Sequence, residues 1–264
     1  MVLTTLLAAS LLDDFHGSAS ISSSFNSVVP GQQFQVVIRI SLDPGWHTYW
    51  KNPGDAGIAP KLSWVLPKGW SAGECRWPTP KRIESPEVVS YGYERQVLLF
   101  VPITAPRNAK LGSVARLKAK VDWLVCKDGC IPASNSIEES VRVGLHPLSS
   151  HKWTREIVQA ERELPRAYPA QGEIAVRDDH TIWLSLKHAK NTSSESVTFY
   201  SEDAVVEPSA PQKLSFDGSG STLSLRVSQF APATVPRLRG LLVVRRGATV
   251  VSRILDIPLK RKIR

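Results

Sequence analysis

The segment WLVCKDGCIP, residues 123–132, carries two of the chain's three cysteines at the ends of a short turn. A Lys-Asp-Gly sequence separates Cys126 from Cys130. If the segment forms a β-hairpin, with Gly129 in the left-handed position of a three-residue loop, the two cysteines face each other. Directly opposed residues of antiparallel strands have Cα atoms about 4.5–5.5 Å apart, which a disulfide can bridge. The spacing therefore predicts a thiol pair that can be oxidised and reduced without moving the backbone.

Such a pair has three possible uses. As a permanent staple it would stabilise the fold by only about 2 kcal/mol, because the loop is so short. At an exposed hairpin tip the sulfurs are open to another protein's thiolate, as thiol–disulfide exchange requires. A closed zinc site needs two more ligands, and neither Cys75 nor any of the six histidines lies at a companion spacing, although capture of copper(I) stays chemically open. The sequence thus favours exchange over a staple and predicts no bound cofactor or native metal.

Several neighbouring side chains could tune or shield the pair. Lys127 favours a thiolate on Cys126 electrostatically, whereas Asp128 opposes it. His47 could carry a proton, but a hydrogen bond to a loop carbonyl is the favoured interpretation. The aromatic residues that could restrict access to the sulfurs, or else pack in a core or anchor a loop, are Trp46, Tyr49, Trp50 and Trp123. The remaining thiol, Cys75, is predicted to be buried beside Trp77.

The elements that must position these residues have the period-two pattern of β-strands. The clearest are QFQVVIRISL at 33–42, RQVLLFVPIT at 95–104 and ARLKAKVDWLV at 115–125, and Pro- and Gly-rich turns separate them. One amphipathic helix is predicted over 154–164, with Thr154 as its N-cap and Pro165 ending it. After this helix the strand pattern resumes.

The sequence therefore predicts an all-β protein with two immunoglobulin-like antiparallel β-sandwich domains and a short linking helix. The predicted divisions are a signal remnant or disordered terminus at 1–14, a redox sandwich at 15–146, and a second sandwich with an N-terminal helix at 147–264. The apolar start MVLTTLLAASLL indicates export.

The composition limits the classes of partner that the protein is expected to bind. The formal charge is +9, but Lys and Arg are scattered rather than forming one stripe, so no nucleic-acid partner is predicted. The excess charge is interpreted first as general surface charge. Proximity of the basic cluster LKRKIR at 259–264 to a membrane surface is the second interpretation. No apolar window is long enough to span a bilayer.

Four separated segments carry a resemblance to a known family. They are GWHTYWKNPGDAGI at 45–58, WPTPKRI at 77–83, YGYE at 91–94 and VDWLVCKDGCIP at 121–132. In this order they resemble the N-terminal periplasmic region of the DsbD family of thiol:disulfide interchange proteins, closest to its ScsB-like branch. The resemblance covers roughly residues 15 to 145. The second domain fits the two-sandwich layout of that branch without a motif of its own.

The resemblance implies a periplasmic module that takes electrons from a membrane-embedded, thioredoxin-like donor and passes them to oxidised periplasmic thiol proteins. It implies that Cys130 forms the mixed disulfide and that Cys126 resolves it. An aromatic cap loop shields the pair in the family, and we place this role in residues 46–50 or near Tyr91 and Tyr93. The best-known members separate their cysteines more widely, so partner specificity does not carry over.

Two alternatives stay open at this stage. Family members usually continue into a membrane domain, so the basic end either leads into one or belongs to a module that meets its donor in trans. A different class of function is a non-catalytic exported interaction module with a structural hairpin disulfide. Whether the chain is an enzyme in its own right, as a protein-disulfide reductase component, depends on which of these holds.

Overall fold

A computed structural model describes residues 16–86, 88–168, 174–186, 195–216 and 220–261. The predicted signal remnant at 1–14 and the last three residues of the basic cluster lie outside this part of the chain. Within the described part the protein consists of β-strands and one helix, α1, at Arg155–Arg162.

The strands before the helix build a first unit. They are β1 Gly17–Ser23, β2 Phe25–Val28, β3 Gln33–Leu42, β4 His47–Gly54, β5 Lys61–Val65, β6 Ser71–Ala72, β7 Lys81–Glu84, β8 Val89–Glu94, β9 Gln96–Thr104, β10 Val114–Cys126, β11 Cys130–Val143 and β12 Leu148–Ser149. One sheet has the order β1-β3-β9-β6. The other has the order β12-β2-β11-β10-β4-β8-β7, and β5 pairs with β10.

The two sheets of the first unit pack face to face over an apolar core. In β10 every second residue from Ala115 to Val125 is buried, whereas the alternate positions are basic or only partly covered. The buried face meets Ile38 and Ile40 of β3 and Leu99 of β9 in one core cluster. This alternation is what the period-two pattern predicts for a strand with one face in the core.

Helix α1 covers the outer face of the smaller sheet. Thr154 caps the helix by accepting a hydrogen bond from the Ile157 backbone N–H, as predicted. Ile157 and Leu164 are buried against Val37 and Phe100 of the sheet. Apolar side chains such as Val37 and Phe100 therefore occupy positions of β3 and β9 that point away from the sandwich core and toward the helix.

The strands after the helix build a second unit. They are β13 Arg166–Ala167, β14 Ile174–Arg177, β15 Thr181–Leu186, β16 Glu195–Ser201, β17 Lys213–Phe216, β18 Ser221–Arg226, β19 Arg237–Arg246 and β20 Thr249–Arg261. Their order is β16-β19-β20-β14-β15-β18-β17, and β13 pairs with β20. The long strand β20 pairs with β19 over most of its length and with β14 only at Leu259–Arg261. It thereby joins two layers around a second core.

The structure confirms the predicted all-β class with two immunoglobulin-like sandwiches and a short helix between them. Almost all strand pairs are antiparallel; in the described part of the chain the parallel ones are β2 with β11, β13 with β20 and β14 with β20. The domain boundary placed at residue 146 stays a prediction. Strand β12, just beyond it, still pairs with β2 of the first unit.

Candidate functional site

The two cysteines close the β10–β11 hairpin as a disulfide. Cys126 and Cys130 are directly opposed in the antiparallel register, with Cα atoms 4.2 Å apart and an S–S bond of 2.07 Å. Cys126 follows the core residue Val125, so its side chain points to the opposite, outer face of the sheet. The predicted hairpin and its facing thiols are thus present, and the sulfurs lie outside the core.

The predicted conformation of Gly129 is wrong. Its φ is not positive, although positive φ values occur at other glycines such as Gly45 and Gly57. The loop is closed instead by a 3.1 Å hydrogen bond from the Lys127 backbone N–H to the Gly129 carbonyl, together with the disulfide itself. A left-handed residue is therefore not needed at this turn.

The two sulfurs differ sharply in accessibility. Cys126 is 2% exposed, because β10 lies between β11 and β4 and the residue pairs with His47 of β4 on its other side. Cys130 is exposed. It begins β11, and among the described strands the other neighbour of β11 is β2, which pairs only with Arg142 and Val143 at the far end. An incoming thiolate therefore has access to Cys130 and not to Cys126.

Tyr49 contacts the exposed sulfur directly. Its hydroxyl lies 3.5 Å from Cys130 Sγ, and a disulfide sulfur can only accept, so the hydroxyl donates. Burial raises the pKa of Tyr49, which keeps the hydroxyl protonated as a donor at neutral pH. The loop after β4 holds the ring in place, because Gly57 has a φ of 115° and a Cβ there would overlap the Tyr49 ring. The loop therefore fixes the Tyr49 ring beside Cys130, and shielding of the disulfide by this ring stays a prediction.

The other aromatic residues predicted to shield the pair do not share this position. Trp50 and Trp123 lie in the core cluster, on the opposite side of the sheet from Tyr49 and Cys126. Trp46 is half-buried and stacks on His16, with ring centroids 3.9 Å apart. Trp50 and Trp123 thus support the sheet from its core side, and Trp46 packs at the edge of the core. Their role in controlling access stays a prediction.

Tyr91 and Tyr93 are also placed away from the sulfurs. Tyr91 packs edge-on against Tyr200 of the second unit, with ring centroids 5.0 Å apart. Tyr93 is buried and its hydroxyl donates a 2.8 Å hydrogen bond to the Pro78 carbonyl. Burial raises the pKa of both phenols well above the ordinary value, so both remain protonated. Between them Gly92 is required, because a Cβ there would overlap the Thr48 backbone of β4.

Strand β4 connects the disulfide with the second unit. Its first half carries His47 and Tyr49 beside the sulfurs. Its pairing with β8 is irregular between Tyr49 and Gly54, and in this stretch its side chains turn to the second unit. Asn52 donates to the carbonyls of Ser201, at 2.8 Å, and Asp203. Lys51 pairs with Glu202, and Trp50 packs edge-on against Tyr200.

The third cysteine lies in a cleft between the units. The cleft has a volume of about 150 Å³ and is lined by Cys75, Trp77 and residues of the second unit such as Leu241. Burial, with a smaller effect of Glu74, raises the pKa of the Cys75 thiol to about 12 although Lys51 opposes the shift. Cys75 is therefore a poor nucleophile at neutral pH. It shares the cleft with Trp77 but is only partly buried, so its predicted burial holds in part.

The polar neighbours of the disulfide are Lys127 and His47. Lys127 is exposed and its side chain extends over Gly45, and its proposed effect on the thiolate stays a prediction. His47 is half-buried with its ring edge-on to Tyr49, at 5.3 Å between centroids. Burial lowers the pKa of His47, while Glu94 acts in the opposite direction. The imidazole is therefore mostly neutral at pH 7.

No group of three or more His, Cys, Asp or Glu side chains is placed to hold a metal ion within the described ranges. In the same part of the chain, no helix has both the length and the apolar character needed to cross a bilayer.

Removing the Tyr49 hydroxyl should slow the chemistry of Cys130. In the reduced protein this hydroxyl can donate to the Cys130 thiolate, so Tyr49→Phe is expected to slow alkylation of Cys130 by iodoacetamide at pH 7 by about threefold to tenfold. Mass spectrometry of the labelled peptide measures this rate. Tyr91→Phe, a matched change beside Tyr200, should leave it unaltered. An unchanged rate in Tyr49→Phe would show that the 3.5 Å contact has no chemical effect.

Fold and site together define a β-sandwich protein with one accessible and one enclosed sulfur at a hairpin tip, the arrangement of a thiol–disulfide exchange module. The sequence comparison agrees. Residues 20–141, just under half of the chain, match the family model described as thiol:disulfide interchange protein DsbD, N-terminal, so the first unit is similar to the N-terminal domains of that family. No curated protein gives a significant match.

One solved structure shares the fold over nearly the whole chain. The N-terminal periplasmic domain of ScsB from Proteus mirabilis is similar with a TM-score of 0.64 and 17% identity, over 94% of this chain and 96% of that one. The fold of this protein therefore includes both sandwiches in the arrangement seen in ScsB. The reduced N-terminal domain of DsbD from Neisseria meningitidis aligns at 12% identity and a TM-score of 0.28, over 48% of this chain and 90% of that one.

Sequence reasoning missed two parts of the site. Glu94 lies opposite His47 in the register of β4 and β8, and Gly57 lies against the Tyr49 ring. The YGYE segment carries part of the family resemblance and two candidate shielding tyrosines, but the sequence gives no role to Glu94. Gly57 stands in a Gly-rich segment whose contact with Tyr49 depends on how the loop folds back, for which the sequence carries no signal.

Proposed function

We propose that this protein is a periplasmic electron relay that works by direct dithiol–disulfide exchange. A thioredoxin-like or membrane-embedded donor reduces the Cys126–Cys130 disulfide, and the reduced pair then reduces oxidised proteins of the cell envelope. The family match over residues 20–141 and the ScsB-like fold support both the chemistry and the periplasmic location.

The single observation that carries the proposal is the unequal exposure of the two sulfurs. Cys130 is exposed at the start of β11, whereas Cys126 is enclosed between β11 and β4. A donor thiolate can therefore attack Cys130 Sγ, which breaks the bond to Cys126 and leaves a mixed disulfide on Cys130. A second donor thiol then releases the reduced protein.

The delivery of electrons follows the same path in reverse. The Cys130 thiolate attacks an acceptor disulfide and forms a mixed disulfide with one acceptor sulfur. Cys126 then attacks Cys130 Sγ, which re-forms the hairpin disulfide and releases the acceptor as a dithiol. Two electrons enter the cysteine pair from the donor and two leave it to the acceptor. No bound cofactor takes part.

The competing function is an interaction module in which the hairpin disulfide is a permanent structural bridge. The reduction potential separates the two. A relay should equilibrate with a thioredoxin-like dithiol and have a potential above about −300 mV, whereas structural bridges usually lie below that value. We expect the first result when the redox state is quantified by alkylation and mass spectrometry in glutathione or dithiothreitol buffers.

A variant without the cysteine pair supplies the baseline for this titration. Cys126→Ala/Cys130→Ala should show no redox-dependent labelling apart from that of Cys75. A potential below about −300 mV, together with no reduction by a thioredoxin-like dithiol, would favour the structural bridge and contradict the relay.

A further inference from the structure

Four side chains form a row across four neighbouring strands on the outer face of the larger sheet. Cys130 of β11 is opposite Cys126 of β10, Cys126 is opposite His47 of β4, and His47 is opposite Glu94 of β8. Directly opposed residues of antiparallel strands point to the same face, with Cβ atoms about 4.5–5.5 Å apart. The row therefore places an imidazole beside the enclosed sulfur and a carboxylate beside the imidazole.

The surroundings of the imidazole favour a proton acceptor. Its burial keeps it mostly neutral at pH 7, while Glu94 attracts the protonated form. Glu94 is itself held by Lys81 of β7 at 2.7 Å, which lowers the pKa of the carboxyl and keeps it charged. The other polar group facing His47 is Tyr49, on its own strand.

Two cationic side chains, Arg95 and Lys127, also lie near this row, but neither can act as the base. Arg95 follows Glu94 and contributes to its lowered pKa. From the hairpin loop, the Lys127 side chain reaches over Gly45, next to the start of β4. Both are cationic, so neither can accept a proton at neutral pH.

Cys126 needs such an acceptor. Burial disfavours the charged form of a thiol, and Cys126 is 2% exposed. Water has little access to its sulfur. Yet this sulfur must lose its proton before it can attack Cys130 and complete the exchange. The nearest base in the register is His47.

We propose that His47 accepts the proton of Cys126 during the resolving step, with Glu94 as a positioning residue that orients the imidazole. This role rests on the exchange function proposed above. In the step the Cys126–Cys130 bond forms and the bond from Cys130 to the partner sulfur breaks. The partner sulfur leaves as a thiolate with the bonding electrons, and the proton of Cys126 passes to the imidazole. When a donor reduces the disulfide, the imidazolium returns a proton to Cys126 as that sulfur leaves.

The resolving step can be observed alone with Ellman's reagent. The reduced protein reacts first at Cys130 and releases one thionitrobenzoate, and closure by Cys126 then releases a second one in a first-order phase. Because this phase does not depend on reagent concentration, any reaction of Cys75 is separate from it. His47→Gln is expected to slow closure at pH 6.5 by at least about tenfold, in keeping with general-base catalysis. At higher pH, where hydroxide can take the proton in place of the imidazole, the difference between the two rates should narrow.

The pH dependence of the wild-type closure rate follows from the direction of the His47 pKa shift. Burial lowers the pKa of His47, so the base form persists below pH 6.5 and closure should be nearly flat from about pH 6.5 upward. The His47→Gln rate should instead rise with hydroxide concentration until it approaches the wild-type plateau. Glu94→Gln should retain a histidine-dependent plateau with a lower rate.

Controls separate a proton role from a structural one. His151→Gln changes an exposed histidine outside the row and should match the wild type. Imidazole added to His47→Ala should restore part of the lost rate at pH 6.5. If His47→Gln retains the wild-type rate and profile, or is slower by the same factor at every pH, the proposal is overturned. The proposed relay itself is judged independently by the reduction potential, which would stand if this test failed.

Discussion

Replacing the enclosed cysteine should turn the protein into a covalent trap. In Cys126→Ser the exposed Cys130 can still attack an acceptor disulfide, but no resolving thiol remains to release the product. We expect the reduced variant to form a stable mixed disulfide with a disulfide-bonded thioredoxin-like protein. Non-reducing electrophoresis detects this adduct, and peptide mass spectrometry locates it at Cys130.

The reciprocal variant should behave differently. Of the hairpin pair, Cys130→Ser leaves only Cys126, which is 2% exposed. Mixed disulfides should therefore form at least about a hundredfold more slowly than in Cys126→Ser. Cys75→Ser is the control for the third thiol and should exchange like the wild type. Equal trapping by Cys130→Ser and Cys126→Ser, or an adduct located at Cys75, would contradict the assigned roles.

Truncating Trp50 should cause the largest loss of stability among the aromatic residues near the site. Trp50 is fully buried, belongs to the core of the first unit and packs on Tyr200 of the second. Trp50→Ala is expected to lower the free energy of unfolding by about 3–5 kcal/mol, because it removes a large buried ring and leaves a cavity at the junction of the units. Urea denaturation followed by circular dichroism measures this change.

Two substitutions calibrate that result. Trp50→Phe keeps an aromatic ring and removes an indole N–H that has no hydrogen-bond partner, so it should cost about 1–2 kcal/mol. Trp46→Ala removes a half-buried ring at the other end of the GWHTYW segment and should cost about 1 kcal/mol. A loss below about 1 kcal/mol in Trp50→Ala would mean that the junction relaxes to fill the space.

The hairpin disulfide was predictable because all its determinants are local. The spacing of Cys126 and Cys130, the alternation of β10 and the turn sequence between them lie within a few residues of each other. The same holds for helix α1, whose cap Thr154 can be identified from the residues that follow it. Strand β3, at Gln33–Leu42, coincides with the period-two segment read from the sequence.

The partners of the disulfide were not predictable, because they depend on register between distant strands. His47, Glu94 and Cys126 come from three strands, and a shift of one residue in either pairing would turn one of them to the other face. Alternation alone places Tyr49 and Trp50 on opposite faces of β4. It does not say which face carries the sulfurs, so the sequence alone cannot separate the aromatic residues beside the disulfide from those in the core.

The contacts of β4 with the second unit bear on how the protein can be divided. A shortened chain that ends after β12 would leave Trp50 and Tyr91 without Tyr200, and Asn52 without the two carbonyls it binds. Bare aromatic surface of this kind promotes self-association in water. The redox sandwich produced by itself should therefore need a new cover over this seam in place of the second unit.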